Sequence, residues 1–395
     1  MKKKIAIIIE RAEIILGGAE RSVFELAGTL TALGLEAHII AAKGQTNTKN
    51  IHILCPDWPS RRVCQPIFEK SLRRHLSQNH YDIIHSVLPF DFADVYQPRG
   101  GCLAESILRN AASYQNRLVE YYKRITAFAN IRRTMLLQTE KRLCKNADGP
   151  IIAAISEYVA EQFKRHYNID NERLIVIPNG VRINKRIEAA RSEKLRKQIL
   201  MQLGLKEADN PVLFLFVANN FRLKGLAVLI KAMQQASHQP TERQSYLIIA
   251  GNDKTHKYRH MAKKLNINKK ILFLGTIRNI QNALSIVDVA ALPTFYDPSS
   301  RYILEAIAMG KPVITTKFNG ATDLFVNNRH GKVIDRPENI NALADAINYF
   351  TNTNNIQKAS EAIAADKIKE QISIRRVAKQ LISLYDKILQ KRRPK

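Results

Sequence analysis

The chain has 395 residues, of which 45% are hydrophobic and 25% charged, and its formal net charge is +27. This length predicts two domains, the composition is that of an ordinary folded globular protein, and no apolar run of about eighteen residues occurs, which excludes a membrane-spanning helix. The positive charge favours a polyanionic partner such as nucleic acid, anionic lipid or a phosphorylated glycolipid, although a general basic bias of composition would give the same number.

The four cysteines have no short paired spacing, which argues against a zinc site and a disulfide framework and favours a reducing compartment. They are Cys55, Cys64, Cys102 and Cys144. The apolar run of residues 5–9 is followed at once by Glu10 and Arg11, so it is too short for the hydrophobic region of a signal peptide. We therefore expect a cytoplasmic protein.

The N-terminal stretch predicts the start of a Rossmann-type domain. Residues 4–10 predict a buried strand, residues 19–33 an amphipathic helix, and residues 36–42 a second strand. Gly17 and Gly18 precede the helix, where glycines either let the backbone approach a ligand or serve the turn alone. The dinucleotide fingerprint G-x-G-x-x-G is missing, and the second strand has no terminal acid for a ribose hydroxyl.

Two polar side chains accompany the next predicted strand. Residues 81–86 predict this strand, with His85 near its end, and Asp94 follows in the next loop. Both residues are expected near the carboxyl end of this strand, where parallel sheets of this class bind their ligands. A hydrogen-bonded strand-end histidine and an ordinary turn aspartate are equally good interpretations.

Residues 99–145 form a basic stretch with interleaved aromatic and aliphatic residues. Ten of them are Lys or Arg against three Glu. A basic helix that carries aromatic side chains suits an anionic membrane surface, whereas a solvated helix that covers the first domain is the alternative. Residues 151–156 and 174–177 then predict the last strands of the first half.

A second run of buried strands begins at residues 211–218, about two hundred residues after the first run. The loop that follows carries Arg222 and Lys224, just before a helix predicted over residues 226–235. Two cations beside a helix N-terminus suit the binding of a diphosphate, and two ordinary surface charges without a ligand are the alternative. The Walker pattern is absent, which argues against a P-loop ATPase.

Two further strands of the second half end in loops with glycine. Residues 245–250 predict a strand that ends at Gly251, and residues 271–274 predict a strand followed by a loop that contains Arg278.

Residues 287–316 predict a strand, a helix and a second strand, which is the βαβ unit of parallel α/β sheets. The helix is predicted over residues 299–309, so that Ser299 and Ser300 lie at its start, and ligands of such sheets bind at the carboxyl ends of the strands. Two acids lie there, Asp297 in the loop and Glu305 in the helix.

Each acid also has a purely structural interpretation. Asp297, followed by Pro298, is typical of a helix N-cap with proline in the first turn. Glu305 lies four residues after Arg301, which is the spacing of a surface ion pair. The apolar neighbours of Glu305 favour a buried carboxylate that needs a partner, and a ligand hydroxyl could supply one.

Two acids separated by seven residues, then a small residue and the sequence Gly-x-Pro-Val, resemble the signature of the family-4 retaining glycosyltransferases of GT-B architecture. This chain has Asp297 and Glu305, then Ala306 and the sequence of residues 310–313. The departure is Asp297, because the family usually has Glu there, and a side chain shorter by one methylene bears on sugar selectivity more than on nucleotide binding.

The resemblance implies roles for the residues at matching positions. The second acid, Glu305, would bind the ribose hydroxyls, the first acid, Asp297, would bind the sugar, and Arg222 and Lys224 would neutralise the diphosphate without a metal or other cofactor. Further donor or acceptor contacts are expected from Gly17, Gly18, His85, Gly251, Arg278, Ser299, Ser300 and Arg301. Asp94 is expected on the acceptor side, since residues 94–96 resemble lipopolysaccharide core glucosyltransferases.

The expected fold is α/β with two Rossmann-like domains that face a cleft, over residues 1–180 and 181–374, and a final helix at 375–395 that returns to the first domain. The expected activity is hexose transfer from a nucleotide sugar, with UDP-glucose favoured, to a membrane-anchored anionic glycan at the inner face of the cytoplasmic membrane, as in lipopolysaccharide core synthesis. Another envelope glycan is the nearest alternative. A nucleic-acid-binding protein is suggested by charge alone, and no recognition module supports it.

Overall fold

A computed structural model describes residues 2–13, 17–44, 48–60, 62–182, 187–277 and 279–392 of the chain. It divides into two compact units. The first comprises residues 1–108, 121–180 and 373–395, and the second comprises residues 109–120 and 181–372. Each unit is built on its own parallel β-sheet.

The sheet of the first unit has the strand order β3-β2-β1-β4-β5-β6-β7, and neighbouring strands pair in parallel. The strands are β1 (Lys4–Ala12), β2 (Glu36–Gly44), β3 (Ile51–Ile53), β4 (Ile83–Ser86), β5 (Val95–Tyr96), β6 (Ile151–Ala154) and β7 (Leu174–Val176). The centre of β1 and β2 is a continuous run of buried residues, as expected for parallel strands covered on both faces.

Helices connect these strands and cover the sheet. Before residue 181 they are α1 (Gly18–Ala32), α2 (Gln65–Gln78), α3 (Leu103–Ala112), α4 (Arg117–Thr126), α5 (Ile131–Lys145) and α6 (Glu157–Tyr167). The sequence predicts α1 over residues 19–33, and in the structure this helix begins one residue earlier, at Gly18, with Gly17 as its N-cap.

The sheet of the second unit has the order β10-β9-β8-β11-β12-β13, again with parallel neighbours. Its strands are β8 (Val212–Val217), β9 (Ser245–Ala250), β10 (Ile271–Gly275), β11 (Val289–Leu292), β12 (Val313–Thr316) and β13 (Gly331–Ile334). After residue 181 the helices are α7 (Ala189–Leu203), α8 (Leu226–Ala236), α9 (His256–Lys264), α10 (Ile280–Ser285), α11 (Arg301–Ala308), α12 (Ile340–Tyr349), α13 (Thr353–Ala365), α14 (Ile368–Gln371) and α15 (Ile374–Arg392).

The last helix, α15, belongs to the first unit. Its apolar stripe, which includes Val377, Leu381 and Leu384, is buried in the same core as β1 and α1. The Tyr385 hydroxyl is 2.7 Å from Nδ1 of His85 in β4. Part of the core of the first unit is therefore supplied by the last described residues of the chain.

Both sheets have the strand order of the doubly wound Rossmann fold, in which the order reverses beside the first strand. In the second unit this reversal lies between β8 and β11, and ligands of such sheets bind at that point beyond the carboxyl ends of the strands. The β8–α8 loop and the β11–α11 loop meet there. Among the described residues, no helix has the length and hydropathy needed to cross a membrane.

Candidate functional site

The two loops at the reversal point of the second sheet are joined by an ion pair between predicted site residues. Nζ of Lys224 donates to Oδ2 of Asp297 at 2.7 Å and to the carbonyl of Tyr296 at 2.8 Å. Only 19% of the Lys224 side chain and 14% of the Asp297 side chain are exposed. The structure therefore brings the predicted diphosphate cation and the predicted sugar-binding acid into direct contact.

Backbone packing keeps these two loops close together. Gly225 has φ +82°, and a Cβ placed there would lie 1.9 Å from the carbonyl oxygen of Pro293. Phe295 N–H donates to the carbonyl of Leu223 at 2.9 Å, which ties the loops together next to this glycine. Only glycine fits at residue 225, because both the backbone angle and the space exclude a side chain.

Gly251 has a similar role at the neighbouring strand. Its φ is +141°, and a Cβ there would lie 1.7 Å from the carbonyl oxygen of Ala218. The β9–α9 loop therefore lies directly against the start of the β8–α8 loop. The next residues strengthen this contact, because Asp253 accepts from the N–H of Phe221 at 2.7 Å.

Asp297 does not cap helix α11, contrary to the structural interpretation of its sequence context. Its Oδ1 accepts from Ser299 N–H at 3.2 Å, which forms a turn before the helix. Ser300 is the N-cap, and its hydroxyl accepts from Ile303 N–H at 3.4 Å, so that α11 begins at Arg301. The Asp297 carboxylate consequently stays next to Lys224.

Glu305 is buried, with 3% of its surface exposed. Its Oε1 lies 3.1 Å from Nη2 of Arg301, and the exposed fractions of the two side chains are 4% and 9%. The i,i+4 pair expected from the sequence exists, but it is a buried pair, and the solvated surface pair considered above is wrong. Burying two charges costs several kcal/mol of desolvation for each ion before their attraction offsets it, so such pairs are weak devices for stability alone.

Asn319 organises this region, although its sequence context did not single it out. Its Oδ1 accepts from the N–H of Ser300 and of Ala321, both at 3.1 Å, and its Nδ2 donates to Thr315 Oγ1 at 3.0 Å. It is fully buried. Asn319 therefore fixes the start of α11 against the loop after β12, and the only sequence signal for this role is its place in a loop of small residues.

Arg222 lies in the same β8–α8 loop as Lys224 but has different partners. Its Nη1 donates to the carbonyl of Asn110 at 2.9 Å and to the Ser113 hydroxyl, and its guanidinium lies 3.9 Å from the centre of the Tyr114 ring. These partners precede Arg222 by more than a hundred residues, so no local pattern could have predicted them.

The remaining predicted residues divide between the two units. Ser299 and Ser300 are buried at the start of α11, and Arg301 is the partner of Glu305. Arg278 lies outside the described residues. In the first unit, Gly17 is the N-cap of α1 and Gly18 its first residue, after the carboxyl end of β1, and their contact with a ligand stays a prediction.

His85 is fully buried and does not reach a surface where an acceptor could bind. Nδ1 lies 2.7 Å from the Tyr385 hydroxyl. Burial, helped by the nearby charge of Arg99, lowers the pKa of His85 to about 3, so this histidine is neutral at physiological pH. The placement corresponds to the hydrogen-bonded strand-end histidine considered above and contradicts direct substrate contact.

Asp94 lies at the amino-terminal edge of the first sheet, opposite to the edge where ligands bind. Its Oδ2 accepts from the N–H of Ile84, near the start of β4, at 2.7 Å, and its Oδ1 is paired with Arg392. Both carboxylate oxygens are thus used within the fold. This placement contradicts the expected acceptor-side role, because the carboxylate points away from the carboxyl ends of the strands.

Family models match both halves of the chain. Residues 201–367 match the model described as glycosyl transferases group 1, and residues 16–185 match the model described as glycosyltransferase family 4. The chain is also 23% identical over 268 residues to the lipopolysaccharide glucosyltransferase WaaG of Escherichia coli strain K12, and the match spans 67% of each sequence.

Solved structures share the fold. The crystal structure of WaaG, a glycosyltransferase involved in lipopolysaccharide biosynthesis, aligns with a TM-score of 0.76 at 19% identity and covers 96% of this chain and 99% of that one. Anabaena HepE in complex with UDP-glucose aligns with a TM-score of 0.67 at 17% identity and covers 97% of this chain and 99% of HepE.

Proposed function

The chain belongs to the group 1 and family 4 glycosyltransferases of GT-B architecture, and from this premise we propose that it moves a hexose from a nucleotide diphosphate sugar to a lipid-linked anionic glycan. The observation that carries the proposal is the pair formed by Lys224 and Asp297 across the reversal point of the second sheet. A cation and an acid in contact there suit the two adjacent parts of such a donor, its diphosphate and its sugar.

The donor diphosphate binds in this proposal to Lys224, Arg222 and the N-terminus of α8. Gly225 is the N-cap of this helix, and the N-terminus of a helix carries a partial positive charge that favours phosphate oxygens. When the bond between sugar and diphosphate breaks, negative charge develops on the leaving diphosphate. Fixed cations at that position lower the barrier, and such electrostatic stabilisation usually contributes more to catalysis than any other single effect.

The two acids hold the rest of the donor. Glu305 accepts hydrogen bonds from the ribose hydroxyls, and Asp297 accepts from hydroxyls of the sugar. The configuration at the anomeric carbon is retained because the acceptor attacks the face of the sugar that the diphosphate leaves, and the leaving diphosphate helps to deprotonate the acceptor. This route requires no protein base, which agrees with the burial of His85 and with the placement of Asp94 at the amino-terminal edge of the sheet.

We favour UDP-glucose as the donor because WaaG is named a glucosyltransferase and HepE was solved with UDP-glucose. Metal independence is part of the proposal, since the protein cations Arg222 and Lys224 take the place of a metal at the diphosphate.

The acceptor is proposed to be an anionic glycan anchored in the inner face of the cytoplasmic membrane, as in lipopolysaccharide core synthesis. Helix α4 supports membrane contact, because its side chains Leu118, Tyr121 and Tyr122 are 81%, 66% and 60% exposed next to Lys123 and Arg124. Exposed aromatic and apolar residues interleaved with cations are typical of helices that lie in an anionic membrane interface. Another envelope glycan would make the same use of this surface.

The first test is isothermal titration of UDP, ADP and GDP, each with and without glucose, against the wild type, Glu305→Ala and Glu305→Gln. We expect micromolar binding of UDP and UDP-glucose that is lost in both Glu305 variants. Glu193→Ala is the matched control, because Glu193 forms an i,i+4 pair with Lys197 on an exposed helix face. No binding of any nucleotide at low salt would refute the proposal, and salt-sensitive binding of DNA or RNA would then favour a nucleic-acid-binding protein.

A further inference from the structure

Residues 109–120 stand apart from the chain around them. They comprise the end of α3, the turn after it and the start of α4, and they group with the second unit, whereas the residues on either side group with the first. Their contacts explain this grouping. The guanidinium of Arg109 lies 4.0 Å from the centre of the Phe318 ring, and Asn110 at the end of α3 and Ser113 in the following turn contact Arg222. The segment thus touches the β8–α8 loop and the loop after β12 within the proposed donor site.

The contacts to Arg222 involve the two Nη atoms of its guanidinium, which are the atoms that bind phosphate in a bidentate arrangement. Nη1 carries two hydrogens, and it donates to two acceptors, the carbonyl of Asn110 and the hydroxyl of Ser113. Nη2 donates to Oδ1 of Asn110 at 3.3 Å, and the Tyr114 ring covers one face of the guanidinium. A bidentate grip on phosphate through both Nη atoms is incompatible with these bonds, because it needs one hydrogen from each atom.

The acceptors that hold Arg222 are neutral, whereas phosphate oxygens are charged. Hydrogen bonds between a cation and a charged acceptor are roughly twice as strong as neutral ones. A diphosphate would therefore displace Asn110 and Ser113 from Arg222, at the cost of the contacts that are broken. The side chain of Ser113 is also buried, so the turn that carries these acceptors is a packed structure and not a loose loop.

We propose that residues 110–114 form a latch that competes with the donor diphosphate for Arg222. This inference rests on the proposed function and adds its regulation: part of the donor's binding energy is spent on opening the latch. The latch leads directly into α4, since Asn116 caps this helix by accepting from the N–H of Leu118 at 3.0 Å and of Val119 at 3.1 Å. Opening the latch therefore displaces the start of the helix that carries the exposed apolar face.

The test is titration of UDP into the wild type, Ser113→Ala and Tyr114→Ala. Each variant removes one neutral contact to Arg222, and we expect UDP to bind about 2- to 10-fold more tightly, the equilibrium factor that one such contact contributes. The same substitutions are then made in an Arg222→Ala background. There they should leave the UDP affinity unchanged, because the latch acts only through Arg222.

A second measurement covers the case in which a variant perturbs folding. Hydrogen exchange of the wild type, with and without UDP, should show faster exchange of the amides of residues 110–119 when UDP is bound. Unchanged or weaker UDP binding in both variants, or slower exchange with UDP, would overturn the latch while leaving the proposed function intact. If neither the wild type nor any variant binds a nucleotide, the proposed function falls and the latch with it.

Discussion

Replacing Asp297 with Asn separates the two roles that we give to the Lys224–Asp297 pair. The amide keeps the shape of the side chain and one acceptor oxygen, but it loses the charge that holds Lys224. If this acid competes with the diphosphate for Lys224, the variant will bind UDP more tightly and transfer sugar more slowly. If Asp297 were only a residue that binds the donor, its replacement would weaken UDP binding and slow sugar transfer.

The magnitude follows from the geometry of the pair. The two atoms are 2.7 Å apart and the side chains are less than one-fifth exposed, so the pair is stronger than an open surface ion pair of ~0–1 kcal/mol. A hydrogen bond to a charged group contributes about 1.5–3 kcal/mol, and a neutral amide retains roughly half of it. Releasing ~1 kcal/mol of competition should strengthen UDP binding about fivefold.

The assay is calorimetric titration of UDP, followed by measurement of transfer from UDP-glucose to an isolated lipid-linked acceptor. Lys224→Met is the opposite control, because it removes the cation and should weaken UDP binding. Asp297→Glu keeps the charge and lengthens the side chain by one methylene, so it should change the preference among donor sugars while the UDP affinity stays within about threefold. Weaker UDP binding in Asp297→Asn would refute the competition between acid and diphosphate.

Three further predictions concern the fold and the chemistry. Gly225→Ala should lower the free energy of unfolding by more than ~3 kcal/mol and abolish donor binding, whereas Gly204→Ala, at φ +70° with no neighbour within 4 Å, should cost only about 1 kcal/mol in chemical denaturation. His85 takes up a proton near pH 6.5 when unfolded but only near pH 3 when folded, so the free energy of unfolding should fall by about 2 kcal/mol between pH 7 and pH 5. His85→Gln should reduce this dependence on pH, and an equal dependence in both proteins would contradict its assignment to His85. Addition of EDTA should leave the rate of sugar transfer unchanged. A transfer rate that falls with EDTA and recovers with Mg²⁺ would show that the protein cations are insufficient.

The fold could be predicted from the sequence because its signals are local. Buried parallel strands give continuous apolar runs, and the glycines and caps that end helices lie next to the elements they end. The same holds for the loops with Lys224 and Asp297, since each directly follows a strand. The N-cap of α11 lies three residues later than the sequence context of Asp297 suggests. Asp297, Ser299 and Ser300 are all good caps, and it is Ser300 that is held in place by donating its N–H to Oδ1 of the distant Asn319.

The parts that sequence could not predict depend on contacts between distant residues. Asp94 directly precedes β5, a strand of two residues that is too short to be recognised from the sequence, and its partner Arg392 is almost three hundred residues away. His85 is likewise held by Tyr385. Arg222 in the β8–α8 loop contacts Asn110 at the end of α3 and Ser113 just after it, and these two segments share no sequence pattern.

The position of α15 in the first unit has a consequence for synthesis on the ribosome. Leu381 and Leu384 belong to the core that β1 and α1 begin, yet residues 181–372 must be translated before them. At about 5–20 residues per second this interval lasts roughly 10–40 s. During it the residues of β1 and α1 that pack against α15 lack this partner. We expect these apolar residues to bind chaperones during translation and the second unit to complete its fold first.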